Sequence, residues 1–461
     1  MNNKDIYETF NYMNFDEKEY ENIPIEMSEI EKKRIKKNLI KNIKENKGMK
    51  KTKIAITAAA ITLVCGVGIV GAAPDTLKSV PILNSIVQKL NDQSGYKGDF
   101  QKYAQAIGQT VKNNGLEITI NEALCDDSKL IIGYTVKGNK NMKKVVNNGV
   151  DMPFLGNNIK INGKEEHFGG GLSIDYLDDN SIIAVCEMNL ENKKLPKNFN
   201  VDLNIKEAFN IKGIWDFSFS VSKEDVEAKT ITFKPGTKVK LPGANIKIDK
   251  VMFSPINTSI FLSGNYTNGK GLMEHEMGIF PYSDWFVFDD KGVEIAWKGA
   301  GGGTKGLLPN KFNYKYDFEV VKNIPKHLTV IPFKYNGYGK EKPEYVTKSL
   351  DSKYPIELNQ GKMGKLIIKE VQNKEDKTII KYRAEGKAPY FQAQNLSVKD
   401  ELGEYIKPYE GYYTQRDKDN PNEFTLILNK LKPNKKYFIN TTILDKYEIK
   451  DEYSFRIPLQ R

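Results

Sequence analysis

Three cysteines and three histidines in 461 residues leave little from which to build a metal or redox site. Cys65, Cys125 and Cys186 form no CxxC pair and stand in no Cys/His cluster, which argues against structural zinc. His167, His275 and His327 are isolated from one another, and neither an HExxH helix nor a GxSxG elbow occurs. The stretch 299–306, GAGGGTKG, has the composition of a phosphate loop but not its Gly-Lys-Thr order or strand-to-helix setting. Gly169 to Gly171 occupies a similar place earlier in the chain, and that recurrence favours a structural loop. Asp289, Asp290 and Glu294 lie at a turn signal, where solvated acids are ordinary. The chain is therefore read as a non-enzyme with no cofactor and no metal. Carboxylates paired across domains for sugar hydrolysis would leave no mark at this level.

Long apolar runs are also scarce, and the one that exists stands out. Ile54 to Ala73 reads IAITAAAITLVCGVGIVGAA, without charge, Asn, Gln, His or Pro. As a helix it would span the ~30 Å bilayer core. Lys47, Lys50, Lys51 and Lys53 precede it, while Pro74 and Asp75 follow, so the positive-inside rule places residues 1–53 in the cytoplasm. The expectation is a single-pass protein of the cell membrane with its C-terminal region outside. A cleaved signal peptide is the competing reading, opposed by the long preceding segment and by Pro74 just after the would-be cut.

What is present is ordinary for globular domains: 39% apolar residues, with 24 Tyr and 22 Phe. The net charge of +11 is spread along the chain. It suits an anionic surface such as a membrane or cell wall better than a nucleic acid. Residues 1–53 divide by charge, with two basic against seven acidic residues up to Glu26 and eleven against three from Met27 to Lys53. Ile6, Tyr7, Phe10 and Met13 fit one face of an acidic helix, and Ser28-Glu29-Ile30-Glu31 opens a basic one. The basic helix carries the stripe Ile35, Leu39, Ile40 and Ile43. Fifty residues bury a core poorly by themselves, so both stripes await a partner. Lysines resting on anionic lipid headgroups are the plainer reading, and a DNA-reading helix has no helix-turn-helix pattern to support it.

Beyond the apolar run, Val80 to Leu90 reads as a short helix, and from Gln109 onward alternating runs with Asn, Gly, Asp and Pro punctuation predict strands. A weak repeat of about 120 residues runs through this part. It opens at Leu116 (LEITINEALCDDSKLIIGYTV), Asn245 (NIKIDKVMFSPINTSIFLSGNYT) and Lys365 (KLIIKEVQNKEDKTIIKY). Each copy continues with a hairpin signal, at Asn162-Gly163, Lys291-Gly292 and Leu402-Gly403, and then a Pro-Lys or Lys-Pro turn at 196–197, 325–326 and 432–433. The fold class that follows is mainly β: three immunoglobulin-like β-sandwich modules outside (74–225, 226–345, 346–461), one transmembrane helix (54–73) and a short α-helical cytoplasmic segment (1–53). Cys125 and Cys186 would meet an oxidising compartment there and are weighed either as a disulfide or as two buried thiols. In the third copy Tyr390, Phe391, Tyr405, Tyr409, Tyr412 and Tyr413 offer either a stacking surface for a sugar or peptide, or core packing.

Four features in order carry a resemblance: Asp5-Ile6-Tyr7 in the acidic segment, the basic helix Glu31 to Lys37, the apolar run Ile54 to Ala73, and Val80 to Ile86 (VPILNSI) followed by Gly115 to Ala123 (GLEITINEA). Over about residues 1–225 the chain resembles bitopic anti-sigma-factor-like proteins of low-GC Gram-positive bacteria, often classed as domains of unknown function. The resemblance implies that the cytoplasmic segment, through Ile6, Tyr7, Phe10, Met13, Ile35, Leu39 and Ile43, sequesters an extracytoplasmic-function sigma factor. It also implies release by an outside signal, commonly through site proteases; the charge pattern, read by itself, adds membrane lipids and cell-wall polymer as further expected partners, with no direct nucleic acid contact. The zinc-binding His and Cys residues of some anti-sigma domains are absent from this segment. The alternative reading is a membrane-tethered surface binding or adhesion protein that recognises cell-wall polymer or a protein partner.

Overall fold

The computed structural model divides the chain into two compact units, Met1–Thr76 and Leu77–Arg461. It describes residues 85–459 apart from residue 97 and the stretches 148–151, 154, 158, 191–192, 268–279, 306–307 and 338–341. The expected transmembrane helix is corrected here: among the described residues no helix is long and apolar enough to cross a membrane. Ile86–Gln93, at eight residues, falls far short of the roughly 20 a span needs. Ile54 to Ala73 and the partner-binding positions Ile6, Tyr7, Phe10, Met13, Ile35, Leu39 and Ile43 lie outside the described residues.

Mainly β structure in several sheets makes up the described unit. In the first module a five-stranded sheet runs in the order Gln105–Asn113, Leu116–Cys125, Lys129–Gly138, Ser181–Asn189, Gly170–Asp178. It faces a four-stranded sheet of Lys164–Glu166, Ile159–Ile161, Asn198–Ala208 and Ile211–Ser222. The two sheets enclose one core containing Ile118, Tyr134, Ile182, Val201 and Trp215. Asn198–Ala208 alternates buried and exposed positions, as a strand with one wet face must. Lys129–Gly138 and Ser181–Asn189 are instead buried on nearly every residue. Their outer face, with Ile131, Ile183 and Val185, is covered by Ile86, Val87, Leu90 and Phe100 and by Ile256 and Val320 of the second module. Each of these apolar side chains contributes roughly 1.5–3 kcal/mol on full burial.

The second module pairs a sheet centred on Ala244–Phe253, Thr258–Tyr266 and Leu308–Phe318 with one built on Asp284–Phe288 and His327–Tyr335. The C-terminal strands Tyr447–Ile449 and Phe455–Pro458 both return to pair with His327–Tyr335. Ile457 and Leu459 therefore sit in the core of the second module, not the third. The third module stacks Ile356–Asn359, Gly364–Asn373, Lys377–Gly386, Glu423–Asn429 and Gln415–Arg416 against Tyr345–Ser349, Tyr437–Thr442 and Leu396–Asp400.

One irregularity recurs in all three modules. The first strand of the repeat carries a register shift after Ile120, after Ile248 and after Ile368, with Glu122, Lys250 and Glu370 resuming the pairing. In each case the shift follows an apolar-x-Ile pattern (Ile118-x-Ile120, Ile246-x-Ile248, Leu366-x-Ile368), all six of these side chains being buried. A bulge lets both halves of such a strand keep apolar side chains on the core face while the strand bends. The Asn162-Gly163 signal is realised as a two-residue turn between Ile159–Ile161 and Lys164–Glu166. Its φ values are 50° and 77°. Only a turn of the I′ type requires both residues left-handed, and Asn-Gly tolerates that at least cost.

Candidate functional site

Helix Ile86–Gln93 is the place where all three modules meet. Ser85 caps it, accepting from the Gln88 N–H at 3.0 Å and donating to Glu122 Oε1 at 3.1 Å. The Val87 N–H donates to the same Glu122 oxygen at 2.8 Å, so an acid of the first module closes the helix start. Burial nevertheless raises the Glu122 pKa above the usual carboxylate range. From the second module, Lys298 Nζ donates to Asn91 Oδ1 at 2.8 Å, and Tyr96 Oη donates to the Trp297 carbonyl at 3.2 Å. From the third, the Tyr413 N–H donates to the Gln93 carbonyl at 2.9 Å, while Gln93 Nε2 donates to the Glu410 carbonyl at 2.6 Å.

Beneath the helix lies a buried set of charges shared by the first two modules. Lys129 Nζ sits 2.7 Å from Glu187 Oε2 and 3.4 Å from Asp317 Oδ2, and Lys315 Nζ sits 2.8 Å from the same Asp317 oxygen. Lys298 Nζ lies 3.5 Å from Glu187. Asn257 Nδ2 and Ser259 Oγ each donate to Asp317 Oδ1 at 2.8 Å. Burial alone would raise Glu187, but Lys129 and Lys298 outweigh it and bring the pKa down to about 2. Asp317 is lowered for the same reason: its burial is overcome by Lys129 and Lys315. Two ionised acids therefore face three lysines between the modules, and the arrangement fastens one module to the other.

An open groove of about 520 Å³ adjoins the C-terminal end of the helix. Leu396, Ile406 and Leu428 give it apolar walls, and Tyr96, Tyr405 and Tyr413 give it aromatic ones. Tyr405 is 52% exposed and Tyr413 61%. Lys399 Nζ rests 4.3 Å from the Tyr405 ring centroid and 5.4 Å from that of Tyr345. The aromatics of the third copy thus divide. Tyr390 is core, at the start of helix Pro389–Ala393, and Phe391 packs against Phe286 and Tyr447 in a joint with the second module. Tyr405 and Tyr413 face solvent.

The remaining sequence candidates scatter. Cys125 and Cys186 are both free and buried in the first core, so the weighed disulfide is not made. Burial raises both thiols, Cys186 to about 12, which leaves them poor nucleophiles. His167 and His327 are in different modules, and His275 lies outside the described residues. Among the described residues no group of three His, Cys, Asp or Glu is placed to hold a metal ion. Gly299 to Gly303 belong to strand Trp297–Lys305, not to a loop before a helix. Glu294, read as a solvated turn acid, is instead buried, accepting from the Tyr390 N–H at 2.7 Å and the Phe391 N–H at 3.3 Å. Burial pushes it up to about 7, against the opposing pull of Arg416 and the two N–H donors. The sequence signal for it is its place two residues after the Lys291-Gly292 turn, in a strand position of the repeat.

Residues 46–138 match a sequence family described as a domain of unknown function (DUF4179), and residues 230–358 match a family of unknown function (DUF5643). The chain matches two families whose roles are unassigned. No curated protein matches it. Among solved structures, the crystal structure of the conserved domain protein from Bacillus anthracis is similar at 18% identity, covering 56% of this chain and 86% of that one, with a TM-score of 0.42. At that distance the likeness carries no argument about function.

Proposed function

We propose that the chain is an anti-sigma-factor-like regulator, in which residues 1–53 bind an extracytoplasmic-function sigma factor and the β region receives the signal that governs this binding. The observation that carries the reading is the fastening of Ile86–Gln93 to all three modules, through Glu122, Lys298 and Tyr413. A ligand that shifts one module against another changes the hold on this helix, and the helix is the first described element after the segment whose sequence carries the apolar stripes. Those stripes, Ile6, Tyr7, Phe10 and Met13 and then Ile35, Leu39 and Ile43, suit helix-in-groove recognition of a protein partner. The match at residues 46–138 to a family of unknown function is compatible with this role.

The test is affinity capture of the full chain from its native host, followed by a sigma-dependent reporter in cells lacking residues 1–53. Recovery of a sigma factor, lost in Phe10→Ala/Leu39→Ala, together with a reporter that rises on deletion, is the expected result. Capture without any sigma factor and an unchanged reporter would overturn it.

A further inference from the structure

We propose that the groove beside Tyr405 and Tyr413 binds an uncharged carbohydrate chain. The first argument is charge. The chain is 28% charged residues, yet among the residues lining the groove none is Asp, Glu, Lys or Arg. Two ammonium groups stand over rings at or beside the lining, Lys399 over Tyr345 and Tyr405 and Lys298 over Tyr96, and both are already engaged there. An anionic polymer would need cations facing it, and a basic one would need acids.

The second argument is the pairing of flat rings with hydroxyls. Tyr405 and Tyr413 are each more than half exposed and carry a polar tip; Lys399 covers one face of the Tyr405 ring, and the ring surface left to solvent suits a ligand that is apolar on its flat side and hydroxylated at its rim. Two hydroxyls of the lining donate to acceptors of the protein itself. Ser94 Oγ donates to the Leu90 carbonyl at 3.0 Å, and Ser397 Oγ donates to Asn440 Oδ1 at 3.3 Å. Each is left as an acceptor, the complement of a sugar O–H. Gln394 adds an amide with both functions. The volume lies within the roughly 300–1,000 Å³ of small-ligand sites.

The third argument separates a glycan from a peptide. An extended peptide gains affinity by adding to a vacant strand edge. Here the edge of Leu396–Asp400 is taken: Lys399 bridges Tyr405, and the Ile406 N–H donates to the Val398 carbonyl at 2.9 Å. The stretch before Gln415–Arg416 is also occupied, since the Tyr413 N–H already serves the Gln93 carbonyl. What remains for a ligand is side chains, the mode by which a glycan is read. Because Tyr96 and Ser94 end the helix that joins the modules, an occupant would touch that helix directly. The inference does not depend on a sigma-factor partner.

Saturation-transfer NMR on the full chain tests it, with cellotetraose, maltotetraose and the tetramer of N-acetylglucosamine as neutral probes. Tetragalacturonate and an uncharged octapeptide serve as the competing classes. The expected result is transfer to at least one neutral oligosaccharide, with affinity weakened about tenfold or more in Tyr405→Ala/Tyr413→Ala. The Tyr405→Phe/Tyr413→Phe variant should keep most of it, because the ring faces remain. Both residues are exposed, so an unchanged melting temperature will show that the alanine variant is folded. No transfer to any neutral probe at about 10 mM, equal affinity in the alanine variant, or preference for tetragalacturonate or the peptide would each overturn the proposal.

Discussion

Between the first and second modules the chain buries Lys129, Lys298 and Lys315 against Glu187 and Asp317, whereas between the second and third it buries rings. Phe286 and Phe333 stack 4.2 Å apart there, Phe391 and Tyr447 close around them, and Met363 and Leu444 complete the cluster. A buried ion pair fixes geometry more than it adds stability, since desolvation consumes most of the Coulomb gain. An aromatic cluster adds stability but tolerates small slides, because dispersion is not directional. The first joint therefore sets a register and the second supplies adhesion.

Breaking the two joints separately should expose the difference. Asp317→Ala leaves Lys315 and Lys129 facing each other across a dry site with one acid fewer, and should cost about 3–5 kcal/mol in urea unfolding. Replacing the pair together, Lys315→Met/Asp317→Leu, should recover part of that loss, because it removes one uncompensated charge while Lys129 keeps Glu187 and Asn257 and Ser259 still lose their acceptor. Leu444→Ala in the second joint should cost about 2–5 kcal/mol through lost burial and a cavity, with no partner change able to rescue it by neutralisation. A loss below about 1 kcal/mol for Asp317→Ala would mean that water reaches the lysines and the joint is not closed.

The joints were the part hardest to read from the sequence. The modules left local marks: the apolar-x-Ile pattern at Ile118, Ile246 and Leu366, and the Asn162-Gly163 turn, are set within a few residues. Lys129, Lys298 and Lys315 look like any of the 70 basic residues of the chain, because each is held by at least one partner more than 50 residues away: Glu187 for Lys129 and Lys298, Ser128 and Asn189 for Lys315. The return of Tyr447–Ile449 and Phe455–Pro458 to His327–Tyr335 is similarly non-local, and position in the repeat assigns those strands to the wrong core. Of the six aromatics that the sequence groups in the third copy, Tyr405 and Tyr413 line the groove, and nothing in the sequence alone separates Tyr390 from Tyr405. The difference is that Tyr390 follows a proline that starts a helix packed on Lys377–Gly386, whereas Tyr405 follows the exposed Leu402-Gly403 turn.

The finest separation of the joints is by pH, where their signs are opposite. In the first, Glu187 has a folded-state pKa lowered to about 2, so its contribution is present above the ordinary carboxylate range and is lost as pH falls through about 2. At the edge of the second, Glu294 has a folded-state pKa raised to about 7 by burial, facing Arg416 and Glu319. Its contribution is full below the ordinary carboxylate range and is lost as pH rises through about 7. Each is worth up to about 3 kcal/mol. Glu294→Gln keeps an acceptor for the Tyr390 and Phe391 N–H groups but cannot ionise. It should match the parent near pH 4 and exceed it by about 1–3 kcal/mol at pH 8, read as a difference in urea midpoint across that range. A parallel pair of stability curves would show that Glu294 is solvated and that only the charged joint responds to protons.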